Sequence, residues 1–353
     1  MDKRTWVGIA VLMVLAVLAC WSCSGRSSPK PVRVVVLLFG NHPTLRSVAD
    51  NVQVGLLEAG VKDAQVAIRD ANFDKTEAVA QAKAAFAERP TAIVALGTPA
   101  IVAAIQNRTG STPLFFGATN DPVALGLTAS RDPTSWRSPD AFRKLEYTHG
   151  LVSDFDFERI AALAQAAMLY RSPASINTVG MVANSEEPNA RLAADLLRER
   201  LSTKQIDLAI ATVARPEECA AAAQTLLARH VGLIQVGPDN VAASGVSSIV
   251  KVADGKGLLV LAFDRASVAA GAAAACGVDF AQLGRQLGRD SAAMLGSAET
   301  LGAAGGSPAI RLFSDTKLYI NTKAIKAALN PNDCEAFLRQ ARELGLAVEL
   351  VGE

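Results

Sequence analysis

The run Val32–Phe39 (VRVVVLLF) constrains this chain more than any other stretch. It is β-branched or apolar almost throughout and shows no alternation of polar and apolar faces. Such a run reads as a strand covered on both faces, as in a parallel sheet. Parallel neighbours cannot be joined by hairpins, so helical crossovers must follow. Leu45–Ala59 has helical spacing and is closed by Gly60. Ala64–Arg69 reads as a second strand. Lys75–Glu88 is an Ala-rich helix that Pro90 ends. Ala92–Leu96 is a third strand, Pro99 opens another helix and Pro113–Phe116 is a fourth strand. This alternation predicts a doubly wound α/β lobe with right-handed crossovers.

The same grammar then restarts. Phe155–Leu169, Asn189–Leu201 and Pro216–Ala228 read as helices, and Asn177–Val182, Ile206–Thr212, Val231–Val236 and Leu258–Ala262 as strands. Ala272–Val278 reads as the last strand of this run and Gln282–Leu295 as a helix. Ile310–Phe313 and Lys317–Ile320 are short extended pieces before a terminal helix near Cys334–Leu344. A chain of 353 residues commonly forms two domains. Two lobes of similar size, each with its own sheet, fit that length. Two stretches interrupt the pattern. Thr128–Tyr147 reads as an insertion near the lobe junction, and Gly296–Gly306 as a Gly-rich loop.

Composition excludes several classes. With 50% hydrophobic residues and a net charge of +1, disorder is not the main state. The balance of 35 basic against 34 acidic residues gives no electrostatic footprint for nucleic acid, and none is expected as a partner. Five cysteines are too few for a disulfide scaffold. The amino terminus reads as an export segment. Lys3 and Arg4 precede the uncharged run Val7–Ala19, which is shorter than the ~20 residues of a membrane span. Val17-Leu18-Ala19-Cys20 resembles the lipobox of bacterial lipoproteins, which implies acylation of Cys20. Residues 1–19 would then be a signal peptide and 20–30, rich in Ser and Gly, a flexible lipid-anchored tether. The expected location is extracytoplasmic, at a membrane surface.

Ligands of open α/β sheets bind outside the carboxyl ends of the strands. Polar residues follow these strands one after another. Gly40-Asn41-His42-Pro43-Thr44, Gly97-Thr98-Pro99 and Thr119-Asn120-Asp121-Pro122 do so in the first half. Asn184–Asn189, Pro238-Asp239-Asn240 and Phe263-Asp264 do so in the second. Asp121, Asp239 and Asp264 suit an ammonium, and Thr98 with free helix N–H groups suits a carboxylate. Local alternatives stand beside each. Thr44 and Thr98 would serve as helix caps, Asp121 as the head of an Asx turn and Asp239 as the cap of the helix beginning at Val241. Catalytic signatures are missing: there is no P-loop, no G-x-S-x-G elbow and no dinucleotide fingerprint. The histidines are His42, His149 and His230, and no metal or cofactor is expected.

These stretches, together with Gly277–Gln286 and Lys317–Ala324, resemble the ABC transporter substrate-binding lipoproteins of the tryptophan-binding type, within the type I periplasmic binding proteins. The likeness runs over roughly 32–345. It implies two Rossmann-like lobes with parallel sheets, joined by three crossovers, with a ligand cleft between them. Lobe one would be 31–148 plus 279–306, and lobe two 149–278 plus 307–353. It also implies closure on a small amino-acid-like ligand, docking on a permease served by a cytoplasmic ATPase, and a monomer. The family's cleft positions fall on Asn41 or His42, Thr98, Asn120, Asp121, Asn184, Asn189, Asp239, Asn240 and Asp264. Two departures are the longer Thr128–Tyr147 link and the adjacency of Asn120 and Asp121. Aromatic content is only 5%, and Phe39, Phe116 and Phe263 are the nearest rings for stacking. A ligand-sensing module for a membrane receptor or kinase is the alternative, and a His-based enzyme a remoter one.

Overall fold

A computed structural model of the chain describes residues 31–132, 147–171, 176–295 and 309–352. Cys20, the rest of the export segment, most of the Thr128–Tyr147 stretch and all of Gly296–Gly306 lie outside these residues. The first half runs β1 (Arg33–Leu38), α1 (Pro43–Glu58), β2 (Gln65–Asp70), α2 (Lys75–Ala87), β3 (Ala92–Leu96), α3 (Thr98–Gln106), β4 (Leu114–Gly117) and β5 (Thr148–Ser153). Each helix starts where local chemistry allows. Pro43 opens α1, and Asp74 caps α2 by accepting from Thr76 N and Glu77 N at 2.6 and 3.0 Å.

The second half runs α4 (Phe157–Arg171), β6 (Thr178–Ala183), α5 (Pro188–Ser202), β7 (Asp207–Thr212), α6 (Cys219–Ala228) and β8 (Leu233–Val236). It continues with α7 (Asn240–Ser244), α8 (Val246–Asp254), β9 (Val260–Ala262), α9 (Arg265–Ala269) and β10 (Ala274–Val278). Then come α10 (Phe280–Leu295), β11 (Ala309–Phe313), β12 (Thr316–Ile320), α11 (Thr322–Ala328), α12 (Pro331–Glu343) and β13 (Ala347–Leu350). No helix among the described residues is long and apolar enough to cross a membrane.

Two sheets result. The first has six parallel strands in the order β11-β5-β4-β3-β1-β2, and the second has seven strands in the order β13-β12-β10-β9-β8-β6-β7, of which β12 and β13 run antiparallel to the other five. Strand order reverses at β1/β3 in one sheet and at β6/β8 in the other, which is where open α/β sheets hold their ligands. The fully buried Val34, Val36, Ile93 and Val94 show why β1 and β3 carry no polar face. Separate apolar cores flank the sheets: Val35, Ile93 and Phe116 belong to the first lobe, Met181, Leu197 and Phe337 to one face of the second, and Leu226 and Ile249 to its other face.

Two details differ from the sequence reading. Thr148–Ser153 and Ala309–Phe313 both pair within the first sheet, so the lobe divisions read at 148/149 and 306/307 fall instead after Ser153 and after Phe313. The THGLVS segment was missed as a strand because His149 and Gly150 break its apolar run. Second, β12 is antiparallel to β10. The reason is topological. The first-sheet strand β11 ends at the edge facing the other lobe, and the chain crosses directly through Ser314 and Asp315. It therefore enters the second sheet at the strand tips and runs away from them. The crossings are laced together: Asp154 N donates to Phe313 O at 3.0 Å, Asp279 N to Asp315 O at 2.7 Å and Ser314 Oγ to Asp154 Oδ2 at 2.9 Å.

Candidate functional site

The tips of both sheets converge on one cavity. His42 follows β1, Thr119 and Asn120 follow β4, and Ser153 and Phe155 close β5. From the other side come Asn189 on α5, Asp239 and Asn240 after β8, Phe263 and Asp264 after β9, and Phe280 after β10. The cavity has a volume of about 40 Å³, room for a few waters at roughly 10–15 Å³ each.

Side-chain hydrogen bonds bridge the lobes at this point. His42 Nε2 lies 3.2 Å from Asn240 Oδ1, and Thr44 Oγ1 donates to Asp264 Oδ1 at 2.9 Å. Asn120 Nδ2 donates to the Asn189 carbonyl at 3.4 Å. At the rim, Lys75 Nζ reaches Glu186 at 3.5 Å, with both side chains largely exposed. Behind Asn240 stands a buried carboxyl: Asn240 Nδ2 donates to Glu187 Oε2 at 2.6 Å. Burial, reinforced by the charge of Asp239, pushes Glu187 up to about 8, against the pull of Asn240. Asp239 is raised too, to about 6, by burial. Of the two, Asp239 holds the negative charge more easily. It accepts three backbone N–H groups, from Val241, Ala242 and Asn184, whereas Glu187 accepts from Asn240 alone, through its side-chain amide and its backbone N–H. Burial also lowers the His42 imidazole, outweighing the Asn240 bond and the charges of Asp264 and Asp70.

Four buried polar atoms of residues lining the cavity have no protein hydrogen-bond partner: His42 Nδ1, Asn120 Oδ1, Ser153 Oγ and Asn189 Oδ1. Buried polar groups are otherwise almost always paired. The four are gathered at one cavity, which leaves its wall with hydrogen-bonding capacity the chain itself does not use. Three rings form an apolar wall beside them. Phe155 and Phe263 meet edge-to-face with centroids 5.3 Å apart, and Phe280 lines the same space. Among the described residues no cluster of His, Cys, Asp or Glu could hold a metal ion.

Of the ten expected ligand-contacting residues, the structure brings His42, Asn120, Asn189, Asp239, Asn240 and Asp264 to the cavity. Four do not line it. Asn41 is exposed beside the buried His42. Thr98 is buried, but its hydroxyl pairs with that of Thr119 at 3.0 Å. Asn184 turns its side-chain oxygen to Glu186 N at 3.0 Å. Asp121 is engaged elsewhere: Arg131 grips it with Nε at 3.1 Å and Nη2 at 2.8 Å, and it caps Val123 N and Ala124 N. The three aspartates read for an ammonium are each already engaged by donors of the chain. Asp239 caps α7, and Asp264 caps α9 through Ser267 N and Ser267 Oγ while holding Thr44. Of the rings, Phe263 lines the cavity, while Phe39 and Phe116 sit in the first lobe's core. Residues the sequence reading missed are Ser153, Phe155, Phe280 and Glu187. A polar break, Ser153-Asp154, marked the first two. Glu187 before Pro188 reads as an ordinary helix start, and only its burial distinguishes it.

The fold and its cleft define a two-lobed solute-binding protein. The family model for ABC transporter substrate binding proteins matches residues 33–137 and 159–342, and the chain belongs to that family. It is thus a transport protein rather than an enzyme, a partner of the permease and ATPase components of an ABC transporter. A tyrosine-binding protein of Clostridioides difficile is 24% identical over 303 residues, covering 85% of this chain and 81% of the relative. A conserved domain protein from Vibrio cholerae matches in structure with a TM-score of 0.75 and 24% identity, over 91% of this chain and all of the other. A Streptococcus structure in complex with L-Trp matches at 0.70 with 21% identity, over 90% and 95% of the two chains.

Proposed function

We propose that this chain is the extracytoplasmic, lipid-anchored receptor of an ABC importer for an amino acid with a large apolar or aromatic side chain. The gathering of unpartnered polar atoms beside three phenylalanines, between the tips of two sheets, carries this reading. The polar atoms fix a small head group, and the rings receive the side chain. Cys20 carries the anchor, and the protein works as a monomer. The lobes part to admit the ligand, close on it and present the closed form to the permease. The relatives named for tyrosine binding and seen with L-Trp support the ligand class. Mass spectrometry of small molecules released on unfolding freshly purified protein tests it, with calorimetry against the L-amino acids. An aromatic amino acid is the expected result. A released sugar, or no binding across the whole panel, overturns the ligand class.

A further inference from the structure

The cavity is rich in acceptors. Asn189 Nδ2 donates to the Pro238 carbonyl at 3.1 Å and Asn120 Nδ2 to the Asn189 carbonyl, which leaves the side-chain oxygens of these two cavity-lining amides buried and unpartnered. Ser153 Oγ serves in either sense. The polarity of His42 Nδ1 depends on its tautomer, and that is set from across the cleft. Asn240 Nδ2 donates to Glu187, which commits the amide: its Oδ1 faces His42 and can only accept. His42 Nε2 must then carry the hydrogen. In the neutral ring that leaves Nδ1 with a bare lone pair.

The geometry points to an ammonium subsite built from neutral acceptors, His42 Nδ1, Asn120 Oδ1 and Asn189 Oδ1, with Glu187 acting through Asn240 as the positioning residue that sets the His42 tautomer. A primary ammonium brings three N–H donors to three acceptors. Asp239 and Asp264 line the same cavity, but donors from the chain already take three of the roughly four lone-pair sites of each carboxylate. They attract the cation through the field and do not grip it. Neutral acceptors need less desolvation than a naked carboxylate would on closure. The choice of an amine as the donor rests on the amino-acid reading above. The tautomer does not.

The test separates the two. Nitrogen-15 NMR of histidine-labelled mature protein reads the His42 tautomer with no ligand at all. The groups facing the pair are Asp70 and Asp264 for His42, and Asp239 and Lys75 for Glu187. At about pH 7 the wild type should show a neutral ring protonated at Nε2. Glu187→Ala should lose that single form, and Glu187→Gln should restore it. L-tryptophan and L-tyrosine, whichever binds, should weaken at least about tenfold on Glu187→Ala and recover largely in Glu187→Gln. Their des-amino counterparts, indole-3-propionate and 3-(4-hydroxyphenyl)propionate, should barely respond. A wild-type ring protonated at Nδ1, as when Glu187 donates and Asn240 is turned over, overturns the inference. Equal weakening of amino and des-amino probes overturns it as well, since Glu187 would then act only on the fold. Failure of both amino acids to bind, with the Nε2 tautomer intact and lost in Glu187→Ala, sinks the amino-acid reading and leaves the acceptor assignment standing.

Discussion

Thr44 Oγ1 donates to Asp264 Oδ1 at 2.9 Å, and the two residues belong to different lobes. Asp264 does not need Thr44 in order to stay satisfied, because Ser267 N and Ser267 Oγ hold it at 2.9 and 2.7 Å. The bond therefore serves closure more than folding. With His42–Asn240 it is one of two side-chain bridges that link buried residues across the cleft, while the exposed Lys75–Glu186 pair contributes roughly 0–1 kcal/mol. Thr44→Val should speed ligand dissociation about five- to tenfold and cost less than about 1 kcal/mol of stability. Stopped-flow release of the bound ligand, beside a thermal melt, checks this. An unchanged off-rate would show that the bond does not hold the lobes together.

Glu187 gives stability a pH dependence with a definite sign. An acid raised by burial keeps its proton in the folded state after the unfolded chain has lost it. Folded protein then binds more protons, so stability falls as pH rises, from the unfolded value near 4.3 through about 8. Asp239 acts in the same direction, but its window ends near 6. His42, a base lowered by burial, acts oppositely and below about pH 6.5. Between about pH 7 and 8 Glu187 dominates, facing Asp239 and Lys75, and before the buried thiols contribute. Urea titrations should show about 1 kcal/mol lost over that interval, and Glu187→Gln should flatten the profile. A flat wild-type profile would mean that Glu187 is ionised throughout.

The β-α alternation and the placement of polar residues at strand tips were readable because both follow from local pattern. Val34–Leu38 has no polar face, and a strand with none must be covered twice. What each tip residue does was not readable, since a carboxylate can cap its own helix or reach a ligand with the same sequence around it. Asp239 and Asp264 do the first, and Asp121 was claimed by Arg131, ten residues on. Ser153 was the reverse case. Nothing local needs its free oxygen, and only the meeting of two lobes shows that it lines the cavity. The direction of β12 was hidden for a similar reason, because it depends on where the chain crosses and not on the residues it contains.

Helices α1 and α10 pack at glycines. A Cβ at Gly288 would overlap the Val52 carbonyl oxygen, one at Gly284 the Val48 carbonyl and one at Gly55 the Arg285 carbonyl. In a free helix, Gly→Ala gains about 0.8–1 kcal/mol. Here the obstacle is backbone, which cannot rotate away, and overpacking costs about 1–3 kcal/mol. Gly288→Ala should therefore lower stability by about 1–2 kcal/mol despite the propensity gain. Because α10 carries Phe280 into the cavity, ligand affinity should fall with it. A raised melting temperature would show that the helices separate easily.

Ser153 offers the cleanest separation of stability from function. The residue is 3% exposed, and its hydroxyl has no protein partner. Leaving such a group buried costs about 1–3 kcal/mol before any ligand bond is counted, and replacing it with a methyl removes that cost with little change of shape. Ser153→Ala should therefore melt at the same or a higher temperature than the wild type in ligand-free buffer. The ligand, however, loses one hydrogen bond, and its affinity should drop about three- to tenfold. Differential scanning calorimetry with and without a saturating amino acid measures both at once: the variant should start level or higher and gain less on ligand addition. If it starts lower and gains the same increment, the hydroxyl braces the fold, and the polar wall of the site lies elsewhere.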